Sequence, residues 1–362
     1  MESMVMSDIF ESFKGKSVFI TGHTGFKGAW LAFWLTEIGA KVTGYALAPE
    51  YENTLFENLD LGNKIENHIE GDIRDLDKLQ AAINEAQPEF VFHLAAQALL
   101  RRSYDDPLTT FGTNVMGSAH VLEAVRHCPS VRSLVYITSD KCYFNKEWPW
   151  GYREDDELGG PDPYSGSKAC AELVFQSYYL SYFQHRENFG CGTTRAGNVI
   201  GGGDRSTDRI VPDTIRAAEQ GESIILRNPE ATRPWQHVMD PLYGYMTLAV
   251  KLYNDPENIN GEGWNFGPPS DSIRTVLDVA NGLIKFWDNV DVQINRPKDA
   301  PHEATLLHLS IDKARSLLKW EPQYDFSNAI ETTGQWYKSA MDGENIEKIT
   351  REQINRFMDH VK

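Results

Sequence analysis

The chain has 362 residues, of which 41% are hydrophobic and 24% charged, a balance that suits a globular protein and excludes global disorder. Its 52 acidic and 35 basic residues give a net charge of −17, which excludes a broad nucleic-acid-binding face, because neutralising phosphates takes basic patches.

The opening MESMVMSDIFESFKGK lacks the basic and apolar regions of a signal peptide. No apolar run approaches the roughly 20 residues that a membrane helix needs. A cytoplasmic protein without a membrane partner is therefore expected. Strands are predicted at 17–21, 41–46, 67–70, 90–94, 134–138 and 190–195. Helices are predicted between them at 25–38, 76–85, 107–126 and 164–182. Such alternation implies right-handed βαβ units and a parallel sheet. The predicted class is α/β, a doubly wound parallel sheet of the Rossmann type over 1–196, with a later contribution from about 236–265. Past 196, loops such as GGGDRSTD and FGPPSDS alternate with short helices. They suggest a smaller α/β lobe over 197–362. In the last segment, Ile346, Ile349, Ile354, Phe357 and Val361 have the spacing of an amphipathic helix, packed on the body or on a partner subunit. The four cysteines have no C-x-x-C spacing, so neither structural zinc nor a disulfide framework is expected, and no other metal site is predicted.

The first strand runs into Thr21-Gly22-His23-Thr24-Gly25-Phe26-Lys27-Gly28. Glycines at this spacing let the backbone approach a pyrophosphate, and the following helix turns its positive end towards the negative charge. A tight turn without a ligand would use the same glycines, but the strand–turn–helix context favours a dinucleotide. The second strand ends Gly44-Tyr45-Ala46-Leu47-Ala48, with neither an acid for a ribose nor an arginine for a 2′-phosphate. NAD and NADP are not distinguished by these residues, and a weaker hold on the cofactor is implied. Gly71-Asp72-Ile73 suits either an adenine edge or an ordinary Gly-Asp turn.

Tyr164 and Lys168 stand at i and i+4, on one face of a helix. An ammonium beside a phenol favours the phenolate. Bringing a tyrosine from about 10 towards 7 takes roughly 4 kcal/mol of differential stabilisation. Such a phenolate is a competent base for a hydroxyl proton during hydride transfer. Alone, this pair reads more readily as a solvated lysine beside a surface tyrosine, since any helix carries such a spacing by chance. Upstream, the apolar strand at 134–138 leads into Ser139-Asp140-Lys141-Cys142-Tyr143. At the carboxyl end of a parallel strand these side chains would face the ligand crevice.

Glycines, serine, tyrosine and lysine in this order resemble the extended short-chain dehydrogenase/reductase family, which modifies nucleotide sugars. The resemblance covers nearly the whole chain. It includes His93-Leu94-Ala95-Ala96-Gln97, Asn114-Val115-Met116-Gly117-Ser118 and Arg195-Ala196-Gly197-Asn198-Val199-Ile200-Gly201. It continues through Arg233-Pro234-Trp235-Gln236-His237-Val238 and Leu318-Lys319-Trp320-Glu321-Pro322. Within the family, 4-epimerases lack an acid–base pair after the serine or threonine, and 4,6-dehydratases carry one. The dTDP-glucose enzymes have Thr-Asp-Glu where this chain has Ser139-Asp140-Lys141. That tripeptide, with Pro301-His302-Glu303-Ala304, resembles the dehydratase subclass.

The resemblance implies NAD as cofactor and CDP-D-glucose as substrate, turned into CDP-4-keto-6-deoxy-D-glucose in deoxysugar biosynthesis. The choice of cytosine rests on the resemblance alone. Implied catalytic residues are Tyr164, Lys168 and Ser139 at C4, Asp140 as general acid and Lys141 as base at C5. Asp140 then needs a raised pKa and Lys141 a lowered one. Lys141 could instead bind the sugar or pair with Asp140. Implied cofactor residues are Thr21, Gly22, Thr24, Gly25, Phe26, Lys27, Gly28, Asp72, Ile73, Leu94, Ala95, Ala96, Gln97, Tyr164 and Lys168. Implied substrate residues are Gln97, Arg101, Asn198, Arg209, Arg233 and His302, an arginine fork suiting phosphate oxygens. The helices at 107–126 and 164–182 would pair in a homodimer or homotetramer. A nucleotide-sugar 4-epimerase and an idle dinucleotide-binding protein are the competing readings.

Overall fold

Seven short segments, all but one of them largely buried, become the strands of one parallel sheet. They are β1 Ser17–Thr21, β2 Lys41–Ala46, β3 Asn67–Glu70, β4 Phe90–His93, β5 Ser133–Ile137, β6 Gly190–Ala196 and β7 Gly263–Phe266. The structure is a computed structural model that describes residues 7–269, 273–287, 290–295 and 306–361. Across the sheet the order is β7-β6-β5-β4-β1-β2-β3. The chain starts in the middle, winds to one edge, and returns to wind to the other. The reversal falls between β1 and β4, which run parallel with Val18 beside Phe90 and Thr21 beside His93. A crevice opens outside the carboxyl ends of the strands at such a point. β4 and β5 are buried along their whole length, as central parallel strands covered on both faces must be.

The covering helices are α1 Phe26–Glu37, α2 Leu76–Ala86, α3 Ser118–Arg126, α4 Pro163–Tyr178, α5 Ile210–Gln220, α6 Met239–Asn254, α7 Phe326–Met341 and α8 Ile346–His360. α1 is buried without a break from Gly28 to Leu35, because the sheet covers one side and α6 and α8 the other. The indole of Trp34 meets Phe357 of α8 edge-on, with ring centres 5.5 Å apart. Ile349, Ile354 and Phe357 are buried there, so the C-terminal amphipathic helix packs on the body.

The predicted helix at 107–126 is interrupted. It runs as an α-turn at Pro107–Phe111, a π-helical turn at Gly112–Gly117, and then α3. α4 likewise continues into a π-helical turn at Tyr179–Phe183. The first of these wide turns aims Asn114 inward. The Asn114 Oδ1 accepts from the Gln97 N–H at 2.8 Å, and its Nδ2 donates to the Gln97 carbonyl at 3.0 Å and to the Ser167 hydroxyl at 2.9 Å. One residue thus ties the loop after β4 to the helix that carries Lys168. π-turns gather at functional sites because the extra residue redirects a side chain in this way.

Candidate active site

A cleft of about 900 Å³ opens at the carboxyl ends of the central strands, and residues of α1, α4 and α5 line it too. One wall holds Phe26 and Lys27, which close the glycine turn at 21–28. Gly22 holds φ at +81°, and a Cβ there would lie 2.7 Å from the Ala95 nitrogen. A Cβ on Gly28 would lie 2.1 Å from the Gly22 carbonyl oxygen. Only glycine satisfies either position. Below the turn, the Thr21 hydroxyl sits 2.7 Å from His93 Nδ1. α1 starts at Gly25 without a side-chain cap. Its first N–H groups are therefore left for a ligand, and the closely folded glycines let a diphosphate approach them. The residues present fit a dinucleotide.

The second wall follows β5. Ser139 caps the short turn Asp140–Cys142, its hydroxyl oxygen accepting from the Lys141 N–H at 3.2 Å and its O–H donating to Asp140 Oδ1 at 2.9 Å. Asp140 is 3% exposed, and its Oδ2 has no hydrogen-bond partner. Lys141, the Ser139 hydroxyl, Arg233 and Lys27 favour the carboxylate, but burial outweighs them and the group is pushed up. That is the direction a proton donor at neutral pH requires.

α4 is started by Asp162, whose carboxylate accepts from the Ser165 N–H at 2.8 Å, with Pro163 in the first helical position. Tyr164 and Lys168 then face the cleft together. Their electrostatics differ from the expectation. Burial pushes the Tyr164 phenol up to about 12, against the pull of the Ser139 hydroxyl and Arg209. Burial also brings the Lys168 ammonium down to about 8. The lysine therefore does not make a phenolate in the polypeptide alone, because its own charge is costly in the same dry space.

One residue missing from the sequence reading is Glu172, a turn beyond Lys168. Its carboxylate accepts from Arg195 Nε at 3.0 Å and Nη2 at 2.8 Å, from the Thr193 hydroxyl at 2.8 Å, and from the Thr138 hydroxyl. Arg195 Nη1 donates to the Tyr143 hydroxyl at 2.8 Å, and Tyr143 donates to Asn265 Oδ1 at 2.8 Å. This buried network braces the 139–143 turn from both ends. The same i,i+4 spacing that pairs Tyr164 with Lys168 could have pointed to Glu172.

The remaining expected residues divide. Phe26, Lys27, Leu94, Ala96, Arg101, Asn198, Arg209 and Arg233 line the cleft. Arg101 already pairs with Asp208 at 3.5 Å and Arg209 with Asp204 at 3.4 Å. Arg233 is buried, with Nη1 donating to the Thr232 carbonyl at 2.8 Å. Ala95 closes against Gly22, and the Thr24 hydroxyl donates to the Leu47 carbonyl at 2.9 Å. Gln97 is held within its own loop: its Nε2 donates to Leu99 O at 3.0 Å and to the Thr110 hydroxyl at 2.9 Å, and its Oε1 accepts from Leu99 N at 2.6 Å. That side chain is spent on the loop and does not reach the cleft. Asp72 is not among the residues that line the cleft and is gripped by Arg74 at 2.6 Å, which holds the carboxyl below its usual range. Ile73 is buried behind it. His302 lies outside the described residues.

Residues 19–333 match the family model described as GDP-mannose 4,6 dehydratase. The CDP-glucose 4,6-dehydratase of Salmonella typhimurium is 45% identical over 349 residues, covering 95% of this chain and 97% of its own. The epimerase Mth375 of Methanothermobacter thermautotrophicus superposes with a TM-score of 0.79 at 26% identity, over 97% of this chain and 99% of its own. A dTDP-glucose 4,6-dehydratase from Bacillus anthracis, solved in complex with NAD, superposes with a TM-score of 0.72 at 21% identity, over 92% of this chain and 99% of its own.

Proposed function

The chain belongs to the GDP-mannose 4,6-dehydratase family and is a nucleotide-sugar 4,6-dehydratase; from that premise we propose that it converts CDP-D-glucose to CDP-4-keto-6-deoxy-D-glucose with NAD as cofactor. The observation that carries the chemistry is Asp140, a buried carboxyl with one oxygen unpartnered, in the cleft that Tyr164 and Lys168 share. A 4-epimerase has no use for such an acid. The likeness to the Salmonella enzyme supports the choice of sugar nucleotide.

NAD, when bound, supplies the hydride chemistry, accepting at C4 and returning to C6. The chain's residues move the protons. Tyr164 takes the C4 hydroxyl proton as a phenolate, a state that the polypeptide alone disfavours and that the positive ring of a bound NAD would favour, with the Ser139 hydroxyl to steady it. A ketone at C4 makes the C5 proton acidic. Lys141 takes that proton, and Asp140 gives one to the C6 hydroxyl, which leaves as water. Arg233, Arg209, Arg101 and Asn198 would hold the substrate diphosphate, and the turn at Gly22–Gly28 the cofactor diphosphate. In this division 1–196, with about 236–265, serves the dinucleotide, and the rest serves mainly the nucleotide sugar.

The test is a product assay in deuterated water, with NAD and each of CDP-, dTDP-, GDP- and UDP-glucose. The expected result is loss of one water, with one deuterium gained at C5, from CDP-glucose alone. Conversion to the C4 epimer without water loss would overturn the dehydratase, and equal turnover of another nucleotide would overturn the base specificity.

A homodimer completes the proposal. Leu108 is 83% exposed, and Phe111, Met116, Leu173, Leu180 and Tyr182 are also exposed, on the neighbouring segments 107–117 and 173–182. A soluble monomer rarely leaves so many large apolar groups together in water. The double variant Leu108→Glu, Leu173→Glu is expected to sediment at half the wild-type mass; an unchanged mass would place the interface elsewhere. Among the described residues no helix is long and apolar enough to cross a membrane. A cytoplasmic location is part of the same reading.

A further inference from the structure

Lys27 is the second residue of α1, directly behind the glycine turn. Its ammonium lies 3.5 Å from the Tyr245 hydroxyl and 5.7 Å from the centre of that ring. Tyr245 is buried on α6. The charges that face Lys27 are Lys168 of α4, Arg209 just before α5, and Asp140 of the turn after β5. Two of these three are cations. The one carboxyl is shared, since Lys141, Arg233 and the Ser139 hydroxyl also act on it. Among the described residues no carboxylate comes within ion-pair distance of Lys27. An ammonium so placed, half-buried at the wall of the cleft, is poorly compensated. Burial, with Lys168 and Arg209 beside it, brings Lys27 down to about 7.

Lys27 itself is short of a carboxylate, although acids such as Asp204, which pairs with Arg209, also line the cleft and the whole chain carries −17. Lys27, Lys168, Arg209 and Arg233 gather in one cleft. A diphosphate brought to the first turn of α1 would supply the missing anion within a few residues of Lys27. We propose that Lys27 takes up a proton when the dinucleotide binds, so that the hold on NAD weakens as pH rises. This rests on the reading of the cleft as an NAD site. The proton comes from solvent and goes to the lysine nitrogen. Binding stabilises the ammonium, so affinity is full below the pKa of the uncomplexed chain and falls as pH rises through it.

The test is calorimetric titration of the full chain with NAD, in buffers of different ionisation enthalpy, near pH 6 and near pH 8. For a group near 7 that binding raises well above 8, the wild type is expected to take up about 0.1 proton per site at the lower pH and about 0.9 at the higher, with Kd about tenfold weaker at the higher. Lys27→Arg keeps the charge without titrating, so the uptake should vanish and Kd should become flat with pH. Lys27→Met should also lose the uptake, and should bind more weakly near pH 6. Heats independent of buffer in the wild type would overturn the proposal alone. Uptake unchanged in Lys27→Arg and Lys27→Met would assign it to Tyr164, Lys168 or Asp140 and also overturn it. Absence of any binding heat would overturn the cofactor reading and the proposal together.

Discussion

Asp140→Asn is expected to stop water loss while leaving the chemistry at C4 and C5 running. Asparagine has nearly the shape of aspartate and can still accept from the Ser139 hydroxyl, so the turn at Asp140–Cys142 should persist. What it lacks is a proton to give. Burial pushes the wild-type carboxyl up even beside Lys141, Arg233 and Lys27, the direction that favours a proton donor. Removing a positioned general acid costs on the order of a hundred- to ten-thousand-fold in rate. Dehydrated product from CDP-glucose should fall by that factor. In deuterated water, recovered CDP-glucose should nonetheless gain deuterium at C5, because Tyr164 and Lys141 remain. Product at near the wild-type rate would remove Asp140 from the role of acid. Loss of the C5 exchange as well would place it in an earlier proton transfer.

What could be read from the residues is what local rules control. The alternation of strands and helices is set by periodicity, and the observed bounds lie close to the expected ones. The strand expected at 134–138 is Ser133–Ile137, and the helix expected at 76–85 is Leu76–Ala86. The glycine turn and the Tyr164–Lys168 spacing are local too. Partnerships between distant segments are not. No local rule joins Lys27 to Tyr245, 218 residues away. None joins Arg102 to Glu50, 52 residues away at 2.6 Å. Gln97 lies in the loop that follows the carboxyl end of β4, where a side chain ought to face the crevice. The π-turn that carries Asn114 and the nearby Thr110 absorb its amides instead. The Tyr164 phenol moves the opposite way from expectation, because burial depends on packing that spacing alone cannot convey. β7, a short run ahead of a Pro-Pro loop, is legible only as a later contribution to the sheet.

Lys168→Met is expected to inactivate the protein and to stabilise it. Loss of the cation that faces the cleft beside Tyr164 should cost at least about a hundred-fold in turnover, the lower end for a group that assists proton transfer. The effect on stability has the other sign. Lys168 is 5% exposed, and its ammonium is brought from 10.5 down to about 8 in the folded chain, chiefly by burial, with Cys142 and Glu172 acting against it. A folded pKa below the unfolded value means that the unfolded chain binds the proton more tightly. Stability therefore rises with pH between about 8 and 10.5, and below about 8 the penalty stands in full. That gap corresponds to a penalty on the order of 3 kcal/mol. Methionine fills similar space without a charge, so urea unfolding near pH 7 should show a gain of about that size. The gain should shrink as pH approaches 10.5, where the wild-type lysine is largely neutral in the folded chain and half neutral in the unfolded one. A variant less stable than wild type near pH 7 would mean that this ammonium is held by favourable contacts rather than tolerated. A gain at neutral pH together with lost turnover would mark Lys168 as a charge kept in the cleft for catalysis at the expense of the fold.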